Sequence, residues 1–551
     1  MTCVSLPMQW SACPTYAMRP ATTATSMPSW ISAVHTFTSF APLITVSAGS
    51  RPCATAASVC EHSHSGFLQK VLIMANSFGR APQPARGLMG TLSPPDGPDA
   101  EGVWRFFRRK AQTFGSSRST ILGRVCRTSG RDSVSCYNLA MVSESGTYEL
   151  RLCDRILIVF RMSRGEYGEV SVDILSTDAG LSHLLPLSFA GEATNERLFE
   201  WIRRRRIPKN RAFVDEILKS CGIESDDAKS IIDVSKGLSL NDSYWVVAAG
   251  FRGTFDEWNL YENKLSTALQ LVAYTGVASD ALADGGIPSE LTNSGMFPKA
   301  WRAIGSKRFL YKAGHLFEGS NVGKEPYSEY LASQVATRMG LDAVRYDLGI
   351  WKGKLCSTCE LFSSKGVAFV PFGFAVPSEQ FKRMNLRDAL AFFARLGESE
   401  LEKFKSMLVF DALVFNEDRH MGNYGVMRDS ATGEIRGMAP IFDNNMSLFA
   451  GAMPNELKAG AMLERAKSGR GAFDPLLDDQ AALVIGPVQK EQLVRFERHQ
   501  VMDEFPQDDV RNHFSDERLH VLQTYIGRRA EQLLSLPTVD PDRMVDELFG
   551  V

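Results

Sequence analysis

The run Asn416-Glu417-Asp418-Arg419-His420-Met421-Gly422-Asn423 constrains this chain most, because an apolar stripe leads into it and a second acidic block comes after it. Leu401, Phe404, Leu408, Ala412 and Phe415 are spaced by 3, 4, 4 and 3 residues. That period predicts a buried helix ending at the run. Twenty residues beyond Asn423 stands Asp443, within Pro440-Ile441-Phe442-Asp443-Asn444. Phosphoryl transfer to a hydroxyl needs one carboxylate to orient the hydroxyl and accept its proton. It also needs an amide oxygen and a second carboxylate for a divalent cation. Asp418, Asn423 and Asp443 supply those types in that order. Mg2+ keeps water and phosphate in its shell, so two protein oxygens suffice. The plainer reading is a capped turn with Asn423 as a left-handed turn residue. Three groups at this spacing favour the site.

The preceding segment carries parts that such chemistry uses. Leu291 to Trp301 is a loop with Gly295 and, four residues on, Lys299. Arg308–Lys312 reads as a strand, and Glu325 to Glu329 opens a helix. Leu331, Val335 and Met339 recur along that helix, and Gly340 stops it. Tyr346–Trp351 and Lys354–Leu361 read as a hairpin around Lys352-Gly353. In this order a partly exposed strand lysine, Lys312, neutralises nucleotide phosphates, and a helix carboxylate, Glu329, holds it. Lys299 and Lys307 are rival phosphate contacts, and Glu325 is a rival to Glu329. The Asp418-to-Asn423 gap equals the Asp-to-Asn gap of a kinase catalytic loop. His420 is expected to brace that loop.

The block Asp411 to Gly425, with Pro440 to Asn444 after it, resembles the C-terminal region of HipA-like serine/threonine protein kinases. The resemblance covers about residues 141–551 and is densest from Leu291 to Phe449. It implies Asp418 as catalytic base, Asn423 and Asp443 as metal ligands, and Lys312 as the nucleotide lysine; His420 is counted with Asp418 in the catalytic loop. Gly295–Lys299 matches a phosphate loop of Gly-x-Gln-Pro-Lys type, with Phe297 in place of Gln. Thr292 and Ser294 join Gly295, Lys299 and Glu329 as nucleotide-site residues. Thr292 stands where family members carry a loop serine that can be phosphorylated.

The fold expected is α+β and bilobal: a mixed small lobe over 286–375 and a helical large lobe over 376–551. An added N-terminal α/β subdomain spans 141–285. The reaction expected is transfer of the ATP γ-phosphate, with Mg2+, to a protein Ser/Thr hydroxyl. The resemblance also implies a toxin-like role with an antitoxin or DNA-binding partner protein. Alternatives are a small-molecule or lipid kinase, and an ATP-binding pseudokinase or DNA-associated regulatory module.

Composition bounds the rest. The net charge of -2 argues against a dedicated nucleic-acid coat. No run reaches 18 apolar residues, so no membrane span is expected. Residues 1–140 hold thirteen basic against five acidic residues and six of the ten cysteines. Their low complexity marks an extension, disordered or mis-started, with ordinary composition from Met141. The remaining cysteines, Cys153, Cys221, Cys356 and Cys359, fit a cytoplasmic protein without disulfides. Cys356-Ser-Thr-Cys359 lacks further zinc ligands and reads as structural. Tyr148–Phe160 and Glu169–Leu175 read as strands, and Glu196–Arg206 and Asn210–Cys221 as helices. Arg203 to Arg206 is expected as a solvated basic helix end rather than a nucleic-acid contact.

Overall fold

Apolar residues at alternate positions build the first sheet. Ile158, Phe160 and Met162 are fully buried and point to one face. The computed structural model describes residues 125–129, 133–137, 144–165, 169–277, 284–317, 320–321, 323–471, 473–497 and 514–540. An antiparallel pair, Val125–Ser129 with Ser133–Tyr137, falls inside the stretch expected to be an extension, of which residues 1–124 lie outside the described residues. Strands β1 (Glu144–Leu152), β2 (Arg155–Arg164), β3 (Val170–Thr177) and β4 (Tyr244–Ala248) form an antiparallel sheet in the order β3-β2-β1-β4. The single strand expected over Tyr148–Phe160 is therefore two. The chain reverses at Cys153-Asp154, where Cys153 takes a left-handed φ of 50°. No Gly or Asn marks that turn, so the pattern read as continuous. Helix α1 (Asn195–Arg204), capped by the Thr194 hydroxyl, buries Leu198, Trp201 and Ile202.

A second antiparallel sheet contains β5 (Lys299–Ile304), β6 (Lys307–Ala313), β7 (Tyr346–Trp351) and β8 (Lys354–Glu360), ordered β7-β8-β6-β5. Its register sets Lys299 opposite Lys312. Helix α2 (Glu325–Met339) has the bounds its sequence period predicts. Gly340 closes it at φ 76°, a conformation that costs glycine nothing. A third sheet, β9 (Val367–Pro371), β10 (Gly425–Asp429) and β11 (Ile435–Met438), adjoins helices α3 (Leu386–Leu396) and α4 (Glu398–Val414). With α5 (Leu477–Val484), α6 (Pro487–Glu497) and α7 (Asp516–Leu534), these share the largest apolar core. All five residues of the predicted α4 stripe are buried in it. The architecture is mixed α+β.

Hydrogen bonds from side chains and backbone stitch the first sheet to the third sheet and its neighbours. Arg428 of β10 donates to the carbonyls of His183 (2.6 Å) and Leu185 (2.8 Å) and to the Tyr244 hydroxyl (2.9 Å). The Phe369 amide donates to the Asn241 carbonyl at 2.7 Å. The arginine run takes part, against expectation. Arg204 donates to the Gly373 carbonyl and the Ser378 hydroxyl, both at 3.2 Å, and lies over the Phe374 ring. Arg205 is buried, paired with Asp242 and stacked 4.1 Å over Trp201. Arg206 bonds the Asp226 carbonyl. Three of the four guanidinium groups thus join elements instead of facing solvent, because distant carbonyls and rings complete them. Among the described residues no helix is long and apolar enough to cross a membrane.

Candidate active site

Helix α4 ends at Phe415, which adopts φ 55° and releases the chain into the 416–423 loop. The loop is held from within by Arg419, which is 1 % exposed. Its guanidinium donates to both Asp411 oxygens (2.9 and 3.0 Å), to the Asn423 carbonyl (2.9 Å), and to the Phe442 carbonyl and the Asn444 side chain, both at 2.5 Å. Asn416 adds a bond to Asp411 and receives the Asp418 amide at 3.2 Å. A buried charge this completely bonded fixes backbone geometry on both sides of the site. The Asn423 side-chain amide donates to the Asp418 carbonyl at 3.1 Å, which leaves the Asn423 side-chain oxygen as a donor atom for a cation. His420 is exposed, and its Nδ1 accepts the Gly422 amide at 3.0 Å, a bracing role within the turn.

Lys312 on β6 is 5 % exposed, not partly exposed as expected. Its ammonium lies 3.4 Å from Glu329 Oε1 and pairs with Asp443 Oδ1. Glu329, from α2, also accepts the Ser357 hydroxyl of β8, so it faces the lysine rather than solvent. Asp443 sits at φ 55°, strained for a residue with a side chain, and the Tyr346 hydroxyl accepts its amide at 3.1 Å. Burial alone would raise the Asp443 carboxyl, but Lys312 and then Lys299 hold it below its ordinary value. Burial weighs against the Lys312 charge, yet Asp443 and Glu329 together raise its affinity for the proton. Burial raises the Asp418 carboxyl above its ordinary value; His420 opposes this and Asp443 adds to it. A carboxyl shifted upward towards neutrality is suited to accept a proton.

The loop 291–298 forms a further wall. Lys299, 6 % exposed, opens β5 at its end. Burial first, then the Arg211 and Lys312 charges, push its amine down to about 7. Gly295, at φ 88°, lies so close that an added Cβ would sit 2.2 Å from the Lys299 amine. Phe297 is buried against the His315 ring, with centroids 5.0 Å apart. The Thr292 hydroxyl donates to the Leu238 carbonyl at 2.7 Å.

Nine of the ten residues singled out from sequence line one cavity of about 540 Å³: Thr292, Ser294, Gly295, Lys299, Lys312, Asp418, His420, Asn423 and Asp443. Glu329 lies behind Lys312, lining an adjoining cavity of about 120 Å³ with Tyr346, Glu360 and Phe362. The described residues contain no cluster of three or more His, Cys, Asp or Glu side chains able to hold a metal. One carboxylate with one amide oxygen matches the sparse protein share of a Mg2+ shell. Sequence reasoning did not single out Arg419, Asp411 and Asn444, whose role shows only once they meet in the interior. Cys356 and Cys359 are buried on β8, where burial pushes the Cys356 thiol up to about 11. That is the inert range.

No family model matches the chain. It is 32% identical over 134 residues to the serine/threonine-protein kinase CtkA of Helicobacter pylori. The match takes in 22% of this chain and 40% of that kinase, so the chain spans less than half the length of the relative. The likeness to HipA-like serine/threonine kinases carried by the catalytic block is borne out by this match. Among solved structures, the crystal structure of the Helicobacter pylori proinflammatory kinase CtkA aligns with 45% of this chain and 94% of its own, at 18% identity and a TM-score of 0.34. The Shewanella oneidensis HipA, HipB and operator DNA complex aligns with 74% of this chain and 100% of its own, at 14% identity and a TM-score of 0.41.

Proposed function

We propose that the chain is an ATP- and Mg2+-dependent kinase that transfers the γ-phosphate to a Ser or Thr hydroxyl of a protein. The observation that carries this reading is Lys312, buried between Glu329 and Asp443 on the cavity that Asp418 and Asn423 also line. A buried lysine so placed offers fixed positive charge to phosphate, and its two carboxylates keep it charged until the anion arrives. Lys299 and the Gly295 backbone offer a second anion contact. Asn423 and Asp443 are the residues that would hold Mg2+, which when bound neutralises phosphate charge. Asp418 orients the acceptor hydroxyl and takes its proton, aided by its raised proton affinity.

In this reading the α2-bearing sheet is the small lobe of a bilobal kinase and the helices from α3 onward are the large lobe, with boundaries near 286 and 376. Residues 141–285 are an added subdomain. A protein acceptor is favoured over a small molecule by the match to a kinase named for serine and threonine. An antitoxin-type partner is proposed only by analogy with the HipA, HipB and DNA complex. The test is calorimetric titration with Mg-ATP, and then labelled ATP with a cell lysate. Label on a lysate protein or on the chain itself supports the kinase. Mg-ATP binding without any label moves the pseudokinase reading to first place.

A further inference from the structure

The strongest unexplained feature lies under the loop 291–298. Arg211 precedes the short helix Val214–Ser220, in the region before the second sheet. Its side chain is fully buried, as is that of Glu290. One nitrogen, Nη2, reaches Glu290 Oε2 at 3.3 Å and donates to the Lys299 carbonyl at 2.7 Å. Nε and Nη1 have no hydrogen-bond partner. Glu290 in turn accepts the Trp301 amide (2.9 Å), the Ser289 hydroxyl (3.1 Å) and the Asn293 side chain (2.9 Å). Beside Arg211, the Ala212 amide donates to the Met296 carbonyl at 2.8 Å.

These bonds close the loop at its base. Glu290 ties the residue before the loop to Trp301, just past its end. Arg211 and Ala212 grip the Lys299 carbonyl and the loop tip from another part of the chain. Arg419, equally buried, is bonded through all of its nitrogens. An arginine that leaves two nitrogens unbonded in the core sits at a cost of about 1–3 kcal/mol per group. A stability role alone would be met better by an apolar side chain of similar volume. What the charge does instead is hold the carbonyl of the lysine whose amine faces the cavity.

We propose that Arg211, with Glu290, is a positioning residue that sets the loop 291–298 and the Lys299 amine for binding the phosphates of a nucleotide. This rests on the reading of the cavity as a nucleotide site. The residue touches neither nucleotide nor acceptor; it acts through the Lys299 carbonyl and the loop. Neither side chain lines either cavity. The pair therefore governs affinity for the phosphate part of the ligand, through Lys299, and leaves the nucleoside part alone.

The test is titration of the full chain with Mg-ATP and, separately, with adenosine. The variants are Arg211→Gln and the doubly neutral Arg211→Gln/Glu290→Gln, which keeps donors and acceptors without burying a lone charge. The expected result is that each folded variant binds Mg-ATP about tenfold more weakly, the size of one lost charge-assisted bond, with adenosine affinity within about twofold of the parent. Unchanged Mg-ATP affinity overturns the proposal. So does an equal loss for both ligands, which a general loosening of the fold would give. If neither variant folds, the pair belongs to the core and the proposal fails. If the parent itself binds no Mg-ATP, the nucleotide reading fails first, and that outcome is separate from the others.

Discussion

Two buried arginine–carboxylate pairs flank the candidate site, and they are built in opposite ways. Arg419 and Asp411 lie 8 residues apart, and every guanidinium nitrogen of Arg419 is bonded. Arg211 and Glu290 lie 79 residues apart, and Arg211 is bonded through one nitrogen. The first pair makes the 416–423 loop a rigid mount, assembled almost wholly from residues between Asp411 and Asn444. The second ties a loop across the fold with fewer bonds, so that loop is the more deformable wall. Asp418, Asn423 and Asp443 thus sit on the stiff side of the cavity, and Lys299 on the yielding side.

Stability separates the two most sharply. Arg419→Ala strands the Asp411 charge with only Asn416 for company, and should cost about 3–5 kcal/mol by denaturant unfolding. Arg211→Gln leaves Glu290 with three donors, and should cost about 1–3 kcal/mol. Equal losses would break the contrast. Next in size are the roles on the stiff side. Asp418→Asn should bind Mg-ATP nearly normally but transfer phosphate about 10²- to 10⁴-fold more slowly, roughly 3–5 kcal/mol of barrier. Asp443→Asn should lose Mg2+-dependent ATP affinity as well as turnover, because an amide cannot offset a divalent charge. Full transfer by Asp418→Asn would remove that residue from the chemistry.

Lys312 spans both sides. Lys312→Ala removes the ammonium that both Glu329 and Asp443 face, so it should cost about 1–3 kcal/mol of stability besides weakening ATP binding. A melting temperature equal to the parent's would overturn this expectation. The smallest effect expected is on pH. Burial, Arg211 and Lys312 press the Lys299 amine down to about 7, against the pull of Asp443 and Glu290. Its charged form, the one that attracts phosphate, is lost as pH rises through that value. Triphosphate affinity should fall up to about tenfold between about pH 6 and pH 8. In Lys299→Met the fall should vanish.

Much of the site was legible in sequence because its parts are local. The α4 stripe, the Asp418–Asn423 gap, the bounds of α2 and the hairpin at Lys352-Gly353 all stem from spacing within one element. What escaped depends on partners far along the chain. Nothing near Arg211 says that it meets Glu290. The run Arg203 to Arg206 looked solvated because its neighbours are charged, yet Gly373, Asp242 and Trp201 complete it. Lys312 looked half-exposed because a strand lysine usually is. Its burial depends on carboxylates that α2 and the Asp443 turn supply. The missed hairpin at Cys153 shows the converse, a local turn without a residue that announces it.

Arg428 carries a consequence for how the protein is made. Its bond to the Leu185 carbonyl joins residues 243 positions apart. At synthesis rates of about 5–20 residues per second, the carbonyls of His183 and Leu185 leave the ribosome roughly ten to fifty seconds before the guanidinium that will bond them. Through that interval water must satisfy them, and the first sheet must stand with one flank unfinished. The emerging β10 strand then arrives at a surface already shaped to receive it, so the early part of the chain acts as a template against which the later part closes.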